Sequence, residues 1–591
     1  MRWLLWLCVL AALIDLRAFG LTDLDEGFYA SVAWEMGQSG DWRTPTLGGE
    51  PWFEKPPLLY WLMTLSMRVF GENEFALRLP STLFYALTIL LIAWWGNRRL
   101  GQGAGSWGAL LFAAAPLSLI LSRLAITDMA LAFFLTLAVI ALWEVSNLTP
   151  PAPLSVNGEG GAAAARSNSP SPFTERGLGG EVQANAQNRL RGAVQRLFWA
   201  LLGGVALGLA ILTKGPFGLG LVGLLYLWNA KTLHARGLRF RWVAFALITA
   251  LLTASPWYVG VYLQHGAEFF NEFVVKQNLL RFAGGDTAHS VLPLIQRGDV
   301  GGVLGGVAVY LLFYVVVLWL GGLSMAGYVS VLWGREDDAL RRYLRSWAWL
   351  VFGLFTLSFT KLPAYIFPMF PVLALLAGGR IVSVRFRTSP PDPLSVNGEG
   401  ESWRVAATSP SPFKERGARG VRFITPLFLT LGAAVWCAVA LYAPLWQSAF
   451  WVIALAVGMP LTVFAFYKPA APPWTRLAGV LVLLIGWNGA LTGYDRLALK
   501  PVRELALKPP PYRTLILYRV NPGYPSLLFY RRGQYATSET AEATLQQMRE
   551  RGAYCLTMDN AFARRPEVLI LSEAQVMGRS LYLIAAWSGE P

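Results

Sequence analysis

Apolar runs about as long as a bilayer core is thick recur along most of this chain, and that recurrence decides the fold class. A helix needs about 20 predominantly apolar residues to cross roughly 30 Å of hydrocarbon. Such runs fall near 3–20, 81–100, 104–122, 127–146, 197–212, 216–230, 242–259, 303–333, 345–359, 363–380, 423–444, 449–467 and 475–493. They predict a mostly α, polytopic membrane protein with about thirteen transmembrane helices. Composition agrees. Of 591 residues 55% are apolar and only 14% charged, against about one-quarter charged in a soluble domain. An ordinary soluble enzyme, a collagen and a wholly disordered chain are thereby excluded. Cys8, Cys437 and Cys555 lie far apart, which excludes a disulfide framework and a cysteine metal cluster. The first run follows Met1-Arg2 without a small-x-small cleavage site, so it reads as a retained helix rather than a signal peptide.

Basic residues set the orientation. With a cytoplasmic N-terminus, inner loops carry Arg98 and Arg99, then Lys231, Arg236, Arg239 and Arg241, then Arg335, Arg341, Arg342 and Arg345. Arg380, Arg385 and Arg387 follow, and finally Lys468 and Arg476. All fall on one side, as the positive-inside rule requires. The net charge of +15 therefore reflects topology and does not point to nucleic acid.

The transmembrane domain is read as 1–493, with a first outer loop at 21–78 and a large outer loop at 260–300. Two inner segments, 148–195 and 384–421, share PLSVNGEG and SPSPF 240 residues apart (153–160 with 393–400, 169–173 with 409–413). Their flanking spans are not alike, so they read as a duplicated Gly/Pro/Ser-rich insertion, disordered and without catalytic role. The tail, 494–591, has strand-like 515–518, 553–558, 567–571 and 580–587 around a polar helical stretch, 538–551. It is expected to form a small extracytoplasmic α/β domain.

The unusual polar residues collect on the outer side. Lys55, Lys214 and Lys361 each stand one or two residues before a proline, Pro56, Pro216 and Pro363. Proline is favoured at the first position of a helix, and a cation at a helix N-terminus is unfavourable by about 0.3–1 kcal/mol without an anion. Three such lysines, with Arg281, suggest a cradle for phosphate; snorkelling to the interface is the plain alternative for any single one. Asp25 and Glu26 close the first span. They are either solvated helix-end groups or catalytic groups, Asp25 as a general base beside the cations and Glu26 next to it. Asp128 either caps the helix that follows or supports the site. His234, His265 and His289 lack ligand spacing, so a divalent metal is possible but unsupported by the histidine pattern. No P-loop, G-x-G-x-x-G or G-x-S-x-G setting is present.

At these residues the chain resembles a known family. DEGFYA at 25–30 (with the Glu at 26), GDWRTPTLGGEPWFEKPPLLYW at 40–61 and GENEFALRLP at 71–80 are similar to the first outer loop of aminoarabinose transferases, within the protein-mannosyltransferase-like C-type membrane glycosyltransferases. LTKGP, NLLRF and TKLPAYIFP continue the similarity in order over most of 1–380. The resemblance implies transfer of a sugar from a polyprenyl-phosphate donor on the outer leaflet, with inversion, to a lipid or protein acceptor. By that analogy Asp25 activates the acceptor while Lys55 and Arg281 hold the lipid phosphate. Glu54 and Tyr365 line the cleft and Asp128 supports it. Two positions depart from the family: Phe28 stands where arginine is common, and Lys276 or Gln277 where histidine is common. Lys276 could restore the lost charge. A transporter is the competing class, but transporters place ionisable groups near the midplane, whereas here they gather at one face.

Overall fold

The computed structural model describes residues 2–13, 16–17, 19–22, 25–146, 174–280, 300–322, 324–334, 338–358, 360–388, 493, 495–520, 524–576 and 578–587. The expected spans at 423–444, 449–467 and 475–493, and nearly all of the second insertion, lie outside them. Among the described residues five helices are long and apolar enough to cross a membrane, or six if one bent pair counts as a single span.

The chain opens with α1 (Arg2–Leu13). The first outer loop is itself built of helices. In α2 (Asp25–Ser39) two acids occupy the first turn, where they complement the helix dipole. The Glu26 carboxylate reaches back to the N–H and hydroxyl of Thr22 at 2.8 and 2.9 Å, in the manner of a capping box. A two-residue hairpin joins β1 (Thr46–Leu47) to β2 (Glu50–Pro51). Its turn residues, Gly48 and Gly49, both have positive φ, which is why glycine stands at both. α3 (Leu58–Phe70) begins directly after Pro57.

α4 (Glu74–Arg99) starts about two turns before the apolar run because Asn73 caps it, accepting from the Ala76 N–H at 3.1 Å. The expected helix at 104–122 is broken instead. α5 (Ala104–Ala113) and α6 (Pro116–Ser122) meet at 67°, since Pro116 cannot donate to the preceding turn and biases Ala115 away from the helical region. α7 (Asp128–Ser146) follows. α8 (Thr174–Lys214) begins inside the stretch expected to be disordered, so 174–195 is helical; 147–173 lies outside the described residues. α9 (Phe217–Ala235) and α10 (Phe240–Phe269) come next. The large outer loop also differs from expectation: α10 runs to Phe269 through a kink at Gly266, and Phe270–Leu280 continues as a π-helix. The run at 303–333 divides into α11 (Val300–Gly321) and a 3₁₀ segment, Ala326–Trp333. α12 (Ala339–Leu357), a 3₁₀ turn at Pro363–Met369 and α13 (Phe370–Thr388) complete this part.

α8 packs between α7 and α10, and α5 between α4 and α13. The second set is close because its contacts are small: a Cβ on Gly378 would lie 2.1 Å from the Ala104 carbonyl. Membrane helices associate through such near-backbone contacts, where apolar burial alone gives little driving force. Outward, Leu83, Leu87, Leu90 and Trp94 form an exposed apolar stripe on α4, fit for lipid.

The tail forms the expected small α/β domain. After α14 (Lys500–Leu507), five strands take the order β4-β3-β5-β7-β6. They are β3 (Leu515–Tyr518), β4 (Tyr535–Ser538), β5 (Tyr554–Thr557), β6 (Val568–Val576) and β7 (Arg579–Ala586). β3 pairs parallel to β4 and β5; β7 pairs antiparallel to β5 and β6. β4 is the strand the sequence did not announce. Alternation sends Leu515 and Leu517 to one buried face, with Val502 and Leu505 of α14. It sends Ile516 and Tyr518 to the other, with Met548 of α16 (Ala541–Arg551). A short helix, α15 (Ser526–Tyr530), docks this domain on α2. Ser31 Oγ donates to Pro525 O at 3.0 Å, and a Cβ on Gly27 would fall 2.7 Å from Ser526 N.

Candidate active site

The structure brings most of the outer polar residues to one place. Glu54, Lys55, Asp128, Lys214, Gln277 and Tyr365 line a cavity of about 120 Å³ whose apolar wall includes Leu221, Phe273 and Phe355. Local sequence explains their positions. The two prolines after Lys55 open α3, while Gly215 and Pro216 end α8 at Lys214 and start α9. Asp128 is the first residue of α7. Charges thus collect where helices begin and end.

Within the cavity the charges are paired. Lys214 Nζ donates to Asp128 Oδ1 at 2.6 Å and lies 5.4 Å from the Tyr365 ring centre. Lys55 Nζ donates to Glu54 Oε1 at 2.7 Å, with both side chains largely buried. Asp25 is surface-accessible and does not line the cavity. Its carboxyl nonetheless feels Lys55, Glu54, Lys214 and Asp128. Crowding by protein strips it of water and raises it above its usual value; Lys55 and Lys214 oppose that rise while Glu54 and Asp128 add to it. A carboxylate so placed is a better proton acceptor than a free aspartate.

A second, wider cavity of about 690 Å³ adjoins the first through Glu54 and Gln277, and adds Trp52, Glu268, Glu272 and Lys276. Lys276 is exposed and pairs with Glu272 at 3.0 Å. The Trp52 ring stacks on Phe28 at 5.3 Å, so the position where an arginine is common carries an aromatic shelf instead.

Two expectations are corrected. Glu26, expected beside Asp25 as a catalytic group, points into the protein and is fully buried. It takes a bidentate pair from Arg78 at 2.8 and 3.0 Å and accepts from the Ala125 N–H at 2.9 Å. Burial alone would raise this carboxyl, but the Arg78 guanidinium outweighs it and holds the group below the usual range. Successive residues of a helix point about 100° apart, so Asp25 and Glu26 cannot serve one cleft. Lys361, expected in the phosphate cradle, does not line the cavity. Its Nζ donates to the Phe355 and Thr356 carbonyls at 3.0 and 2.7 Å, closing the C-terminus of α12. Arg281 lies outside the described residues.

Sequence reasoning missed Arg78 and Tyr29. Arg78 is wholly buried and also donates to the Leu16, Phe19 and Gly20 carbonyls; its apolar chain neighbours, Leu77 and Leu79, were the signal, since a buried guanidinium demands a carboxylate. The Tyr29 hydroxyl is buried without a hydrogen-bond partner among the described residues, and burial together with the Asp25 and Glu54 charges resists its ionisation. Among the described residues no group of three or more His, Cys, Asp or Glu is placed to hold a metal ion. Gln277, an amide, lines both cavities with Glu54, and no histidine is among the described residues that line either.

A family described as dolichyl-phosphate-mannose-protein mannosyltransferase matches residues 54–147. An undecaprenyl phosphate-alpha-4-amino-4-deoxy-L-arabinose arabinosyl transferase of Pseudomonas paraeruginosa is 30% identical over 66% of this chain and 60% of its own length. A protein of the same name from Edwardsiella ictaluri is 26% identical over 64% of this chain and 58% of its own length. The chain thus aligns with only about three-fifths of these relatives. The crystal structure of ArnT from Cupriavidus metallidurans bound to undecaprenyl phosphate superimposes with a TM-score of 0.71 over 100% of this chain and 99% of that one, at 19% identity. In sequence this chain is similar to the aminoarabinose transferases over about three-fifths of their length, in fold it is similar to ArnT, and its residues 54–147 match the mannosyltransferase family.

Proposed function

We propose that the chain is an integral membrane glycosyltransferase of the inner membrane, transferring a monosaccharide from a polyprenyl-phosphate donor to a lipid A-like acceptor on the periplasmic side. The observation that carries this reading is the single cavity in which Lys55, Lys214, Glu54, Asp128 and Tyr365 meet beside Asp25. The donor names of the sequence relatives support it. The acceptor hydroxyl attacks the anomeric carbon from the side of Asp25, which takes its proton. The bond from that carbon to the phosphate oxygen breaks, and polyprenyl phosphate leaves with inverted stereochemistry in the product. Lys55 and Lys214, with Arg281, stabilise the charge that grows on the leaving phosphate. Preorganised cations in a water-poor site contribute several kcal/mol to such a step. Glu54 and Asp128 hold the two ammonium groups in place.

The test is transfer by purified, reconstituted protein from an undecaprenyl-phosphate sugar to lipid A, with and without Asp25→Asn. Loss of transfer with retained donor binding supports the reading; undiminished transfer removes Asp25 from the chemistry. A protein acceptor is the second reading, favoured by the family match over residues 54–147. Serine- or threonine-linked sugar on envelope proteins, with lipid A unchanged, would select it.

A further inference from the structure

The tail domain has anchors enough to hold it on the first outer loop. Phe529 of α15 belongs to the same buried core as the transmembrane helices, Ser31 Oγ binds Pro525 O, and Gly27 admits the Ser526 backbone. A second set of contacts runs from tail side chains to bare backbone just ahead of α2. The Gly20 N–H donates to Asp495 Oδ1 at 2.8 Å and the Leu21 N–H to the Tyr530 hydroxyl at 2.9 Å. Asp495 opens a π-helical turn, Asp495–Leu499, before α14, and Tyr530 is the last residue of α15.

These two acceptors are themselves held. The Tyr530 hydroxyl donates its one proton to Glu74 Oε1 at 2.8 Å. Its lone pairs then serve the Leu21 N–H and Arg503 Nη1, the latter at 3.3 Å. Arg503 also stands 3.6 Å from Asp495 Oδ2 and 3.8 Å from Glu74 Oε1, so one guanidinium spans both acids. A Cβ on Gly20 would run into that guanidinium and come within 2.9 Å of Asp495 Oδ1; glycine is what lets the tail reach this backbone. From the membrane domain Arg78 donates to the Gly20 carbonyl at 2.8 Å. Thr22 is bound through its N–H and hydroxyl to Glu26, and its carbonyl accepts from the Gly27 N–H at 3.0 Å. The backbone from Gly20 to Thr22 is thereby fixed by two domains, and α2 begins shortly after it with Asp25.

We propose, on the reading of Asp25 as the general base, that Tyr530 and Asp495 are positioning residues for sugar transfer: they fix the entry to α2 and so the place of the Asp25 carboxylate beside the cavity. A reacting group misplaced by 1 Å can lose about 10²-fold in rate. Lys55 and Lys214 stand before α3 and at the end of α8, on other segments than residues 20–22. The tail contacts therefore act on the chemical step and leave the hold on the donor phosphate unchanged.

The full chain, reconstituted with undecaprenyl phosphate-4-amino-4-deoxy-L-arabinose and lipid A, tests this through kcat and donor KM per folded protein. Tyr530→Phe and Asp495→Ala should each lower kcat tenfold or more while changing donor KM less than twofold. Asp495→Asn keeps an oxygen for the Gly20 N–H and should recover kcat severalfold over Asp495→Ala. Limited proteolysis should release the tail from Tyr530→Phe no faster than from wild type, since Phe529 and Ser31 still anchor it. If that variant does shed its tail, the two Asp495 variants decide, and equal kcat in both overturns the proposal. A lowered melting temperature with wild-type kcat in Tyr530→Phe and Asp495→Ala makes these contacts purely structural and overturns it as well. Asp25→Asn separates the two levels. If it abolishes transfer while the tail variants turn over normally, the positioning role alone falls; if it transfers undiminished, the base and its positioning fall together.

Discussion

Lys214 and Asp128 meet at 2.6 Å, the last residue of α8 against the first of α7. Asp128 is nearly buried and Lys214 about one-fifth exposed. Removing one partner leaves a charge uncompensated, a loss of about 3–5 kcal/mol for a buried pair, less here because Lys214 keeps some solvent. Asp128→Ala and Lys214→Ala should each lower the melting temperature. The double variant should fall short of their sum by about 0.5–3 kcal/mol. A strictly additive double-mutant cycle would show that the contact contributes nothing.

Asp25 predicts opposite effects on activity and stability. Its carboxyl sits above the ordinary 3.8 in the folded protein, so folding favours the protonated form. That contribution to stability is largest in acid and declines as pH rises from 3.8 through the folded value, then levels off. Asp25→Asn should therefore melt no earlier than wild type at neutral pH while losing transfer. The acid limb of the wild-type pH–rate profile should lie above that of a free aspartate. A variant that melts earlier at neutral pH contradicts the assignment.

Glu26 predicts the reverse. Its carboxyl is held below 4.5 by Arg78, so the stability it contributes is complete above 4.5 and is lost as pH falls through the depressed folded value. Glu26→Ala strands Arg78 among the Leu16, Phe19 and Gly20 carbonyls and should cost about 3–5 kcal/mol. Thermal melts should show that loss, and whatever protein remains folded should keep its turnover per active site. A normal melt with abolished turnover would return Glu26 to the chemistry.

Lys55 and Lys361 separate a site lysine from a structural one. Burial pushes the Lys361 ammonium down to about 8, so protonation there opposes folding and stability should rise between pH 8 and 10.5. Lys361→Met removes two hydrogen bonds to helix-end carbonyls, at about 0.5–1.5 kcal/mol each. It should lower the melting temperature while changing the KM for the polyprenyl-phosphate donor less than twofold. Lys55→Met should change donor KM or kcat by tenfold or more. Equal kinetic effects from both would restore Lys361 to the cradle.

Gly27 predicts a docking defect. A branched side chain at Gly27 meets the Ser526 backbone, so Gly27→Val should loosen the tail domain from α2. Limited proteolysis should then release a fragment near residues 500–587 faster than from wild type. Unchanged proteolysis would show that the domain is held without this approach.

The sequence by itself determined the membrane class, the tail's alternating strands and the gathering of polar groups near helix ends. Those are local properties: apolar length, period, and a proline that must open a helix. Even there Pro116 broke a run that hydropathy alone reads as continuous, because a missing N–H acts on the backbone and not on hydrophobicity. Tertiary structure alone decided which carboxylate serves which cation. Asp25 and Glu26 are neighbours in the chain, yet the helical turn between them sends one toward the cavity charges and the other to Arg78. Lys214 and Lys361 precede prolines in the same way, yet among the described residues the first reaches a carboxylate and the second two backbone carbonyls. Pairing energies depend on distances between segments dozens of residues apart, and those distances exist only once the helices have packed.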